Sequence, residues 1–111
     1  MPRDADVYLA DILEAIERIQ DYARGLSYEA FARDAKTLDA VLHNLEIIGE
    51  AAKRVPDPWK ERAPKVEWRK IAGMRDLIAH AYFSIDPEIV WDVVTSKLPT
   101  LAAEVKRLRG A

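Results

Sequence analysis

The stretch DAKTLDAVLHNLEIIGEAAKRV, residues 34–55, decides the fold. Leu38, Val41, Leu42, Leu45, Ile48 and Ala52 recur every three or four positions, which lays one apolar stripe along a helix. No period-two alternation competes with it, so the spacing predicts a helix from about Asp34 to Val55. Gly49 interrupts the good helix formers at a cost of roughly 1 kcal/mol relative to alanine. Either a neighbouring backbone comes close at that point or the helix tolerates the loss.

The same periodicity extends outward. Upstream, Leu9, Ile12, Leu13, Ile16, Ile19 and Ala23 predict a helix from Asp6 to about Arg24, with Asp4 or Asp6 as N-cap and Gly25 as its stop. Ser27-Tyr28-Glu29-Ala30 reads as a short capped turn between the two. Downstream, Pro56, Pro58 and Pro64 break the chain into a loop with room for one short helical turn. A third helix is predicted from about Trp68 to Tyr82. Asp86-Pro87-Glu88 then starts a fourth, with Asp as cap and Pro at the first helical position. Its stripe is Ile89, Val90, Val93, Val94, Leu98, Leu101, Val105 and Leu108, and Pro99 should kink or split it near Lys97. Four amphipathic helices with short connections predict an all-α, up-and-down four-helix bundle in a single domain spanning residues 1–111, with a short extra helical turn after the second long helix. Trp59, Trp68 and Trp91 are expected to pack rather than to bind.

Composition narrows the function. The 111 residues carry a net charge of −2 and no cysteine, which excludes thiolate metal sites and a disulfide scaffold. Met1-Pro2-Arg3-Asp4-Ala5-Asp6 does not resemble a secretory leader, and no apolar run is long enough to span a bilayer, so a cytoplasmic protein without membrane contact is expected. Charge is uneven. Residues 1–52 hold five Lys/Arg against eleven Asp/Glu, whereas residues 53–75 hold eight against three. That basic segment, with Lys53, Arg54, Arg69 and Lys70 as candidate RNA contacts, suits a polyanion and equally suits a solvated face.

The basic segment leads into Met74-Arg75-Asp76-Leu77-Ile78-Ala79-His80-Ala81-Tyr82-Phe83, whose polar residues read Arg-x4-His-x-Tyr. Arginine presents a planar fork of donors to phosphate, and histidine moves protons near neutral pH. These are the parts of a phosphodiester-cleaving site, although a charged helix end could hold the same types. On an ideal helix Asp76 and His80 share a face, so the carboxylate is expected to orient the imidazole. Arg75 and His80 stand about 140° apart, an awkward separation for a joint site. Metal-free RNA cleavage needs one group to take the 2′-hydroxyl proton and another to protonate the leaving oxygen. The motif offers one histidine, and His43 reads as a surface residue. Two copies packed about a two-fold axis would supply two. No metal-type histidine spacing, Gly-rich phosphate loop or local Ser/Cys–His–acid set is present, and no cofactor is expected.

Three ordered blocks carry a resemblance: Asn44-Leu45-Glu46-Ile47-Ile48-Gly49-Glu50-Ala51-Ala52-Lys53-Arg54, then Trp68-Arg69-Lys70-Ile71-Ala72-Gly73-Met74-Arg75-Asp76, then His80-Ala81-Tyr82-Phe83 running into Asp86-Pro87-Glu88-Ile89-Val90-Trp91. Over nearly its whole length the chain resembles the small HEPN-domain toxins of the HepT type (the DUF86 family). The resemblance implies an all-α homodimer acting as a metal-independent endoribonuclease, with RNA as substrate (tRNA among the candidates) and a minimal nucleotidyltransferase as antitoxin. It places Arg75 and His80 on the catalytic pair and Asp76 on the polar position beside the arginine. It places Tyr82 on the tyrosine that the partner modifies with AMP. Ala81 stands where Asp or Gly is frequent. The alternative from the same residues is a non-catalytic helical subunit that binds the nucleotidyltransferase and is modified by it.

Overall fold

A computed structural model describes residues 4–110; the N-terminal Met1–Arg3 considered above lies outside the described residues. Every regular element among the described residues is helical. The long helices are α1 (Ala5–Ala23), α3 (Ala35–Arg54), α5 (Trp68–Ala81) and α7 (Leu98–Gly110). The short ones are α2 (Tyr28–Arg33), α4 (Asp57–Glu61) and α6 (Pro87–Asp92). Helix α1 packs on α3, α3 on α5, and α1 also on α7, so the chain closes into the expected all-α, HEPN-like bundle.

Local chemistry sets the boundaries. Asp4 caps α1, and Gly25, at φ +77°, turns the chain in the left-handed region just beyond its end. Ser27 caps α2 through the Ala30 amide at 3.2 Å. Asp34 accepts from the Thr37 amide at 3.0 Å and from the Thr37 hydroxyl at 2.7 Å, which fixes the start of α3. Those two bonds hold the Asp34 carboxyl below its ordinary range, the hydroxyl contributing most. Asp86 caps α6, with Pro87 in its first turn.

The periodic residues meet in the core. Leu9, Ile12, Ile16 and Ile19 of α1 are buried with Val41, Leu42, Leu45 and Ile48 of α3 and with Leu98, Leu101, Val105 and Leu108 of α7. The tryptophans pack as expected. Trp68 is buried, its indole N–H donating to the Ala63 carbonyl at 3.1 Å. Trp91 lies 5.0 Å from the Phe31 ring, and Trp59 carries the Arg62 guanidinium 4.9 Å above its face.

Pro99 acts differently from a simple break. The helical path runs from α6 into α7 through a π-helical segment, Val93–Lys97. There the Leu98 amide reaches back five residues to the Val93 carbonyl. Proline has no N–H and crowds the preceding turn. Widening that turn by one residue relieves the crowding without ending the helix.

Candidate active site

Gly49 locates the site. A Cβ built there would stand 3.0 Å from the Arg75 nitrogen, 3.1 Å from the Ile71 carbonyl oxygen and 3.2 Å from the Arg75 Cβ. The α3 glycine therefore admits the α5 backbone at close range, with Arg75 at the crossing. Close approach, the first of the two readings of Gly49, is the one the geometry supports. Glu50, the next residue on α3, takes the arginine.

Arg75 Nε lies 3.1 Å from Glu50 Oε2 in an ion pair, and its Nη1 lies 3.5 Å from Asp76 Oδ1. The other Glu50 oxygen, Oε1, accepts from Arg54 Nε at 2.9 Å. One carboxylate thus bridges two guanidiniums, and the Arg75 side chain remains half exposed. Exposed pairs of this kind contribute about 0–1 kcal/mol, so they exchange readily. Glu50 was quoted in the sequence without a role. The signal that would have found it is its alignment with Asp39 and Glu46 on one face of α3.

His80 is exposed, and its Nδ1 lies 2.7 Å from the Asp76 main-chain oxygen. A carbonyl only accepts, so Nδ1 carries the proton, and Nε2 makes no hydrogen bond or ion pair among the described residues. The expected Asp76 carboxylate–imidazole bond is replaced by this one. The Asp76 side chain leans toward Arg75 while its backbone holds His80. Arg75 leans onto α3, and His80 folds back along its own helix.

Tyr82 opens a 3₁₀ turn, Tyr82–Ser84, that follows α5. Its hydroxyl donates to Asp39 Oδ1 at 2.8 Å, tying the end of the motif to the start of α3. That bond, then burial and the negative charge of Asp39 and Glu46, raise the phenol above its ordinary value. Of the other candidates, Lys53 and Arg69 are exposed, and Lys70 is paired with Glu67 at 2.8 Å. His43 is exposed on α3. Among the described residues no cluster of His, Asp or Glu could hold a metal ion, and no helix is long and apolar enough to cross a membrane.

Comparison with known proteins identifies the family. A family profile described as "Ribonuclease HepT-like" matches residues 12–108. The chain belongs to the HepT-like family. A Thermococcus cleftensis protein named "Probable ribonuclease HepT" is 43% identical over 109 residues, covering 98% of this chain and 99% of that one. A Methanocaldococcus jannaschii protein provisionally named as an RNase is 38% identical over 97% of this HepT-like chain and 90% of its own length. One from Caldanaerobacter subterraneus, named likewise, is 39% identical over 91% and 90%. No solved structure matches the chain.

Proposed function

We propose that this chain is a metal-independent endoribonuclease of the toxin type, and the observation that carries the proposal is His80. Its Nδ1–H is anchored on a backbone carbonyl, and Nε2 is left free and exposed on the helix that carries Arg75. The ribonuclease names of its relatives support the same reading. In the reaction, Arg75 releases Glu50 and grips the scissile phosphate, stabilising charge as it develops. An imidazole at Nε2 takes the 2′-hydroxyl proton, and a second, protonated imidazole gives one to the departing 5′-oxygen. The products are a 2′,3′-cyclic phosphate and a free 5′-hydroxyl. Asp76 serves chiefly through its backbone.

One chain does not supply two such histidines, so the active unit is a homodimer. Gly73, Leu77 and His80 stand at i, i+4 and i+7 on one face of α5, with Phe83 just beyond. Leu77 is 58% exposed and Phe83 fully so. A Cβ at Gly73 would meet nothing, unlike one at Gly49, so the single chain gives no packing reason for that glycine. A second copy lying across this face brings two His80 side chains into one cleft. A neighbouring minimal nucleotidyltransferase silences the enzyme by placing AMP on Tyr82, where a bulky anion competes with RNA for Arg75. The protein works in the cytoplasm.

The test is purified protein with total RNA, with and without EDTA, beside His80→Ala and Arg75→Ala, and with light scattering for the dimer. Cleavage should survive chelation, and His80→Ala should lose on the order of 10² to 10⁴ in rate. Loss of activity in EDTA, or wild-type cleavage by His80→Ala, overturns the mechanism. A second reading has its own support: in one chain Arg75 is held by carboxylates, which suits a non-catalytic subunit that presents Tyr82 to the nucleotidyltransferase. Such a subunit gives no cleavage in any arm. Intact-mass analysis after co-expression would still show AMP on the wild type and none on Tyr82→Phe.

A further inference from the structure

Helix α5 has another flank, and it borders a cleft. A hollow of about 340 Å³, open to solvent, lies between the segment leading into α5, its first two turns, and the junction of α6 with α7. Met74 lines it and stands about 120° around the helix from His80, so the cleft is separate from the histidine face. Its floor is apolar: Ile71, Met74 and Val93 lie over the buried Leu98 and Leu101. Its rim is cationic, with Lys65, Lys70 and Lys97. Glu67 is the one carboxylate among the lining residues and is already engaged by Lys70 at 2.8 Å. Three ammoniums against one carboxylate leave a local charge of +2 on a chain whose total is −2.

The π-helical segment shapes this hollow. Val93, Ser96 and Lys97 of the widened turn face it, and Thr100 adds a second hydroxyl beside Ser96. Such widened turns recur at functional sites. A volume near the lower end of ligand pockets, roughly 300–1,000 Å³, suits one heterocyclic base with its sugar and little more. Aliphatic and thioether walls accept the face of any base, hydroxyls meet ribose and base edges, and lysines act as mobile point charges for phosphate. A free nucleotide is commonly held at its phosphate by a Gly-rich loop and a helix N-terminus. No Gly-rich loop lines this cleft, and the helix N-terminus that borders it, that of α5, carries the Glu67 carboxylate at its cap, which disfavours a phosphate there. An open hollow with lysines around its rim suits a strand that enters and leaves.

We propose that this cleft binds one nucleotide of a single-stranded RNA, apart from the His80–Arg75 site, and so positions the strand for cleavage. The identity of the strand rests on the ribonuclease reading; the cleft chemistry does not. Met1 and Met74 are the only methionines, so methyl-labelled methionine gives one reporter inside the cleft. The protein used is His80→Ala, which keeps the RNA intact. A short unstructured RNA should shift the Met74 methyl resonance. Lys97→Glu and Lys65→Glu, both at exposed positions, should each weaken binding about ten-fold and reduce the salt slope by roughly 0.7 to 1. Lys106→Glu, the same charge change on the exposed end of α7, should stay within about two-fold of the parent.

The proposal is overturned if RNA binds and leaves Met74 unmoved, or if Lys97→Glu matches Lys106→Glu. It is equally overturned if inorganic phosphate alone reproduces the Met74 shift. A shift with AMP or UMP but not with RNA would make the cleft a free-nucleotide site and overturn it too. Separate cleavage assays on the wild type keep the two readings apart. No cleavage with an intact Met74 response sinks the nuclease alone, and cleavage with a silent Met74 sinks the cleft alone.

Discussion

Replacing Gly49 by alanine should separate two effects that usually travel together. Alanine is about 1 kcal/mol better than glycine inside a helix, and that gain applies equally at Gly49 and at Gly73. The surroundings differ. At Gly73 the new methyl meets nothing within 4 Å, whereas at Gly49 it lands 3.0–3.2 Å from three atoms of α5, two of them backbone. Carbon contacts are comfortable at about 3.5–4.0 Å, so α3 and α5 must part. Overpacking of this kind costs roughly 1–3 kcal/mol. Gly73→Ala should therefore stabilise the chain by about 1 kcal/mol. Gly49→Ala should destabilise it by about 0–2 kcal/mol after the helix gain is credited. The gap of about 1–3 kcal/mol corresponds to Tm values on the order of 4–20 °C apart. Urea and thermal unfolding at two protein concentrations read this gap, since a contribution from association at Gly73 would change with concentration. Equal stabilisation by both alanines would refute the close crossing, and with it the placement of Arg75 against Glu50.

Other outcomes follow from single contacts. Because Asp39 and burial raise the Tyr82 phenol, it should ionise later than an ordinary tyrosine in an ultraviolet titration, and Asp39→Asn should bring it down. Tyr28, raised by burial and by Glu88, Asp86 and Glu29, should not move in that variant. A phenol raised in the fold contributes stability below its unfolded pKa of about 10 and loses it as pH rises through the folded value, so Tyr82→Phe should flatten the alkaline decline of Tm. At the acid end the sign reverses. The Asp34 carboxyl is lowered, so its contribution is complete above about pH 4 and fades as pH falls through the folded value. Asp34→Asn keeps a good cap and should lose less Tm than the wild type between about pH 5 and pH 2.5.

How much of this was legible in the sequence depends on the kind of contact. The long helices were legible because each buries a stripe at helical spacing, and the caps at Asp4 and Asp86 announce themselves within three residues. Gly49 announced only a choice, since a glycine in a helix does not say which backbone approaches it. Pro99 showed that something must give near Lys97. Whether the helix ends or widens depends on whether α7 stays packed on α1, a tertiary matter. Arg75, Asp76, His80 and Tyr82 were legible as types and spacing. Their partners were not, because Glu50 and Asp39 lie 25 and 43 positions away and meet them only when α3 and α5 cross. The Asp76–His80 contact failed for a local reason. Four residues apart, an imidazole reaches the backbone carbonyl as easily as the carboxylate, and here the carboxylate leans toward the neighbouring arginine.

Those cross-helix partners change the meaning of the motif. Read alone, Arg-x4-His-x-Tyr looks like a line of free functional groups. In the folded chain Arg75 rests on Glu50, Tyr82 on Asp39, and His80 on the Asp76 carbonyl, which leaves the outer imidazole nitrogen uncommitted. Each resting contact lies at the protein surface, where such bonds are weak and exchange readily. A phosphate that takes Arg75 from Glu50 replaces one carboxylate contact with a bidentate anion, and Glu50 keeps Arg54. On the proposed mechanism, such an arrangement would hold the arginine in position without substrate and yield it when substrate arrives. The motif's imidazole is not completed in the same way from within one chain, because His43 of α3 makes no hydrogen bond or ion pair with it. The exposed face at Gly73, Leu77 and Phe83 is the His80 face of α5, so on the proposed homodimer mechanism a second copy seated there would also supply the second imidazole.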